Sequence, residues 1–274
     1  MNRFSIRAAV LFVLVSALAA SPLTAHTPPA SEPAAEQLPP HVTRVDDVPL
    51  PVASEIFKTL DKFKDSNWRA VQRQELPRAR PRGDQASIAL LLGAVIAEGF
   101  VAVAAEDAAE MTSLGRSLLG LARGLGVEQW ALKRSRSIVD HAESGDWGAV
   151  RKEWDQVLPD VHEGMTELKS QQLAHLVSLG GWVRGAEALG VLVTQRYSPE
   201  DAELLRQPVL LDHFAKHIAT TNDPVLAKAT AGIQKFRRIV DATPSPMPAE
   251  TVKEIRTVAA ELLQSFPAES RQTR

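Results

Sequence analysis

A chain of 274 residues with 45% hydrophobic and 23% charged residues has the composition of an ordinary globular protein. Its formal charge of −2 excludes the broad electrostatic attraction that binders of nucleic acid or anionic lipid rely on. Cysteine is absent, which removes disulfides, thiolate metal sites, cysteine nucleophiles and covalently attached haem from consideration.

Met1 to Arg7 carries Arg3 and Arg7 and no acid, and Ala8 to Ala20 is an unbroken run of apolar and small residues. Small residues at Ala17-Leu18-Ala19 or Leu23-Thr24-Ala25 then offer cleavage points. A basic start, a short apolar run and small residues after it predict a signal peptide over 1–25. The apolar run is too short to span a bilayer comfortably. The mature chain is therefore expected in the periplasm or outside the cell, with its charge moved from −2 to −4 by loss of the two arginines. Residues 26–51 hold seven prolines and read as a Pro-rich disordered tether, unable to bury enough apolar surface to offset the entropy of ordering.

From Val52 onward the period is helical. Ile56, Leu60 and Phe63 are spaced by four and three, as on one helix face. Trp68 and Val71 begin a second short stripe, and the arginines and prolines between Leu76 and Asp84 read as a loop with Asp84 as the next N-cap. A long apolar segment runs on through Ala109, and Gly115 to Gly126 looks looser. Helical periodicity resumes over Val127–Ala142 and breaks at Ser144-Gly145-Asp146-Trp147-Gly148. Trp147–Val157 is expected as a helix ended by Pro159, and His162 to about Arg196 as a helical stretch bent near Gly180-Gly181. Ser198-Pro199 with Asp201 is a capped start. Val209–Ala219, Pro224–Val240 and Pro248–Phe266 complete the elements, and 267–274 reads as a disordered tail. Asn67-Trp68 and Asp146-Trp147 begin similar stretches, which predicts one helix-hairpin module used twice. No sustained period-two alternation occurs. The expected fold is all-α: a single-domain multi-helix bundle over 52–266, with eight to ten helices.

Two segments stand apart. Ile88–Ala105 contains one charge, Glu98, in eighteen residues, a helix of about 27 Å. The second, 173–193, contains only Arg184 and Glu187, with Gly180, Gly181, Gly185 and Gly190 allowing close approach. Alanine and glycine dominate the first, it lacks an aromatic belt, and a central glutamate is costly in lipid. Both therefore read as central core helices, with membrane insertion of 88–105 as the alternative. A buried carboxylate needs a partner, so Glu98 is expected to pair with Arg184, while Glu187 sits within reach of Arg184 on its own helix. Such a centre either fixes helix register or serves a ligand's polar head or acid/base chemistry.

His213 and His217, four apart, can face one direction and ligate a metal. Asp212, His162, His175 and Glu163 lie at no recognisable ligand spacing, and Phe214 and Ile218 would take the buried stripe, which leaves these histidines at the surface. No cofactor is expected. The acidic group Glu106, Asp107 and Glu110 faces a basic stretch from Arg116 to Arg136, and Arg69 to Arg82 is a second basic run without interleaved aromatics. These read as solvated faces or intramolecular charge matching, with docking of an anionic partner on the second run as the alternative, and nucleic acid is not an expected partner. The sequence carries no nucleophile-elbow, phosphate-loop or zinc-helix motif. The leading functional expectation is a non-enzymatic binding or interaction module of the cell envelope, holding a small amphipathic ligand near Glu98 and Arg184 or binding an envelope protein. The alternative is an enzyme with an acid/base centre at Glu98, Arg184 and Glu187.

Overall fold

A computed structural model describes residues 42–45, 48–51, 53–218 and 223–266. Those residues form an all-α fold of eleven α-helices with one short hairpin beside them. The expected signal peptide, most of the expected tether and the tail lie outside the described residues.

The last part of the expected tether is ordered differently from the prediction. β1 (Val42–Val45) pairs antiparallel with β2 (Val48–Pro51), with Val42 opposite Pro51 and Val45 opposite Val48. Val42, Thr43, Val45 and Val48 are β-branched and favour extended backbone. Pro49 and Pro51 are tolerated because a two-stranded ribbon has only edge strands.

α1 (Ala53–Asp61) precedes two single 3-10 turns, Trp68–Ala70 and Leu76–Arg78. The Trp68 stretch is thus a turn capped by Asn67, whereas its counterpart is a full helix, so the expected repeated module is not formed. α2 (Gln85–Ala104) starts at Asp84, whose carboxylate accepts from Ser87 N at 2.7 Å. It ends earlier than the apolar pattern suggests. Glu106 takes positive φ and Asp107 caps α3 (Ala108–Gly124), accepting from Glu110 N at 3.1 Å. The glycine-rich stretch is therefore helix, because a strong cap outweighs scattered glycines.

α4 (Glu128–Ser144) stops at Gly145, which adopts the left-handed conformation. α5 (Trp147–Trp154) is capped by Asp146, and α6 (Val157–Glu167) carries Pro159 inside its first turn, where the missing N–H costs nothing. Pro159 therefore opens a helix instead of ending one. α7 (Gln171–Gln195) runs through Gly180-Gly181 without interruption. α8 (Pro199–Glu203), α9 (Pro208–His217), α10 (Pro224–Ala242) and α11 (Ala249–Ser265) follow, three of them opening on a proline.

α2 and α7 form the centre. The helices α3 and α5 gather on α2, while α6, α9 and α11 gather on α7. Both central helices are long and apolar enough to cross a membrane, and 89% and 72% of those windows are buried within the fold. They cross backbone to backbone. A Cβ on Gly93 would fall 1.9 Å from Val177 O, and one on Gly180 would fall 1.9 Å from Leu90 O. The glycines that suggested a bend in α7 are instead the contact itself. Gly99 instead makes room for a side chain of α5: the Trp154 ring covers it and donates from Nε1 to Ile96 O at 3.1 Å.

Candidate functional site

Three places could carry function: the charged centre foreseen from the sequence, an apolar cleft and a histidine cluster.

Glu98 lies five residues beyond Gly93, and Arg184 lies one turn beyond Gly180, so the close crossing brings the two side chains together. Arg184 Nε donates to Glu98 Oε2 at 2.5 Å and Nη1 donates to Glu187 Oε2 at 2.5 Å. Nη2 donates to Val71 O at 2.7 Å, and Arg73 N donates to Glu98 Oε1 at 2.8 Å. The chain after the first 3-10 turn thus closes the third side. Glu98 and Arg184 have no exposed side-chain surface, and Glu187 is buried. The guanidinium fork and both Glu98 oxygens are engaged, as a buried ion pair requires. The sequence had assigned Arg184 to either glutamate, and the structure gives it both.

Nearby polar atoms are less well served. Gln72 Nε2, Arg73 Nη1 and Glu110 Oε1 are buried without a hydrogen-bond partner among the described residues. Burial pushes the Glu110 carboxyl up to about 7, aided by the Glu98 and Asp107 charges and opposed by Arg78. Between the ordinary value of 4.5 and about 7 the folded chain holds a proton that the unfolded chain has lost. Stability therefore falls as pH rises through that window. Glu110→Gln is expected to raise stability by about 1 kcal/mol at about pH 8, the ideal gain being reduced because Glu110 keeps part of its surface in water. The gain should vanish by about pH 4, and thermal melts of both proteins at the two pH values check it. An equal gain at both would reject the cause.

The charge runs are largely matched within the chain. Arg69 pairs with Asp107 at 3.1 Å, Arg134 bridges Glu153 and Asp160 at 3.0 and 2.7 Å, and Arg123 pairs with Glu128.

The apolar cleft was not foreseen. It has a volume of about 180 Å³ and opens to solvent between α1, α2, α7 and α9. Its walls include Ile56 and Leu60 from α1, Phe100 from α2, Trp182 from α7, and Leu210 and Phe214 from α9. Trp182 is held in place by an edge contact with Phe236, with centroids 5.0 Å apart, and by donation from Nε1 to Gln207 Oε1 at 2.8 Å. Gly93, Gly181 and Gly185 are among the residues that line it, and at Gly185, which is exposed, a Cβ would meet open space. Glu98, Arg184 and Glu187 take no part in the lining. A signal was present in Gly181, Gly185 and Leu189, which share one face of α7 at a spacing of four. What the sequence does not say is which glycines mediate contact and which leave a space.

His213 was expected at the surface and is instead 1% exposed. It and Phe214 are adjacent, and α9 is enclosed widely enough to bury both. His175 from α7 joins His213 and His217, with ring centroids 5.2 and 4.5 Å away. His213 Nε2 lies 3.3 Å from His175 Nδ1. The sequence named His175 among distant contributors, but its 38-residue separation from His213 gave no spacing to recognise.

Comparison with known protein families, with characterised proteins and with solved structures finds no match for this chain.

Proposed function

We propose that the chain is an exported, soluble, non-enzymatic binding module of the bacterial cell envelope, and that it holds the apolar part of a small amphipathic ligand in the cleft between α1, α2, α7 and α9. The observation that carries this reading is a preformed, solvent-open, almost wholly apolar cleft with rigid aromatic walls. Its volume of about 180 Å³ suits one aromatic ring or a short branched hydrocarbon group. The remainder of a larger ligand stays outside, and Thr59 and Gln207 are polar residues of the lining that it can meet. Export rests on the basic start at Arg3 and Arg7 and the apolar run Ala8 to Ala20.

This reading moves the ligand away from Glu98 and Arg184. A ligand head or substrate has no path to a pair without exposed surface, so the ionic centre serves as a register device between α2 and α7. Acid/base catalysis at Glu98, Arg184 and Glu187 lacks access for the same reason. Insertion of α2 into a bilayer would require breaking its contacts with α7 and α3.

N-phenyl-1-naphthylamine, a neutral apolar fluorophore whose single phenyl ring matches the cleft while its naphthyl group stays outside, tests it. The detergent-free protein is expected to enhance its emission saturably. Gly185→Leu puts a bulky side chain on the rim of the cleft, its Cβ meeting nothing within 4 Å, and removes a helix-interior glycine, so the variant should keep or gain about 0.5–1 kcal/mol of stability. It should lose at least about tenfold in dye affinity, the loss of about 1.4 kcal/mol of contact. Undiminished dye binding by a folded Gly185→Leu variant would sink the proposal.

A further inference from the structure

We propose that His175, His213 and His217 form a three-imidazole site for a divalent transition-metal ion of the zinc class. The inference is independent of the cleft.

The local sequence places two of the ligands. His213 and His217 sit four apart on α9 and face the same way, with rings stacked at 4.3 Å. α7 supplies the third from a different part of the chain. One ring nitrogen from each can be chosen so that all three lie within 4.8 Å of one another. A tetrahedral ion with metal–nitrogen bonds of about 2.0–2.1 Å holds its ligand nitrogens about 3.3 Å apart. His213 Nε2 and His175 Nδ1 already stand at 3.3 Å. The remaining closure falls on His217, which is only half-buried.

The donor set selects the class of ion. Three imidazoles without a carboxylate suit zinc, cobalt, nickel or copper and disfavour calcium and magnesium, which require oxygen. The complete absence of cysteine removes any competing thiolate. His175 and His213 are buried while His217 is half-buried. Three protein ligands leave a fourth position for water or an anion, the arrangement of an open zinc site. Because the ligands come from α7 and α9, an ion there ties together two of the helices that wall the cleft.

The test uses the full chain without a polyhistidine tag, stripped with a chelator and titrated with cobalt(II). The expected result is one equivalent bound with the intense visible absorption of a four-coordinate ion, displaced by zinc. His217→Gln, at the half-buried position, should keep the fold and weaken binding by at least about tenfold, as His213→Gln should. His141→Gln, on α4, should leave the affinity unchanged. Failure of the wild-type chain to give the visible band overturns the proposal. So does unchanged cobalt affinity in His217→Gln, which decides the matter even where His213→Gln does not fold.

Discussion

Arg184→Met is expected to destabilise the fold by about 3–5 kcal/mol, because it leaves Glu98 as a buried carboxylate with only Arg73 N to satisfy it. Glu187 loses its partner at the same time. The cost belongs to the orphaned charges and not to the lost attraction, so a second change should return most of it. Adding Glu98→Gln removes the buried charge while keeping an acceptor for Arg73 N, and the double variant should recover more than half of the loss. Urea unfolding of the wild type, both single variants and the double variant provides the measurement. A single-variant loss below about 1 kcal/mol would mean that water reaches the pair, and would reopen the site to a ligand.

Gly180→Ala should be nearly as damaging, although it adds one methyl group. The new Cβ would meet Leu90 O at 1.9 Å, and a backbone carbonyl in mid-helix cannot swing aside as a side chain can. α2 and α7 must separate by more than about 1 Å, which overpacks one side and opens the other. The same separation lengthens the hydrogen bonds of Arg184 one turn away. We expect a loss of about 3 kcal/mol or more, at the upper end for overpacking. Gly93→Ala, which meets Val177 O at 1.9 Å, should behave alike. Gly115→Ala is the control: nothing lies within 4 Å of its Cβ position, and the helix should gain up to about 1 kcal/mol. Denaturation midpoints at unchanged slope check all three.

Local patterns in the sequence carried the fold a long way. The caps at Asp84, Asp146 and Ser198 are legible because a cap is a contact over three residues. α2 and α7 stand out because a helix apolar all round has only one comfortable place in a bundle. The partnership of Glu98 and Arg184 follows from scarcity, since almost no other charge falls on either segment. What was missed depends on geometry between distant segments. Nothing local distinguishes Gly180, pressed on a backbone, from Gly185, which is exposed and meets nothing. His213 looks like a surface residue until α7 brings His175 beside it. The hairpin at Val42–Pro51 was hidden because the prolines that mark a tether are also permitted on an edge strand.

The close crossing of α2 and α7 also bears on how the chain is made. Glu98 and Arg184 stand 86 residues apart in the sequence. During synthesis α3 and α5 can cover part of α2 as they emerge, but the face that meets α7 must wait for everything through α7 before it can be covered. A helix pair that depends on so distant a partner closes late and leaves a sticky intermediate exposed. The chain should therefore depend on a holding chaperone until α7 has been made. A truncated chain ending before Gln171 should aggregate, although α3, α4, α5 and α6 are all present in it.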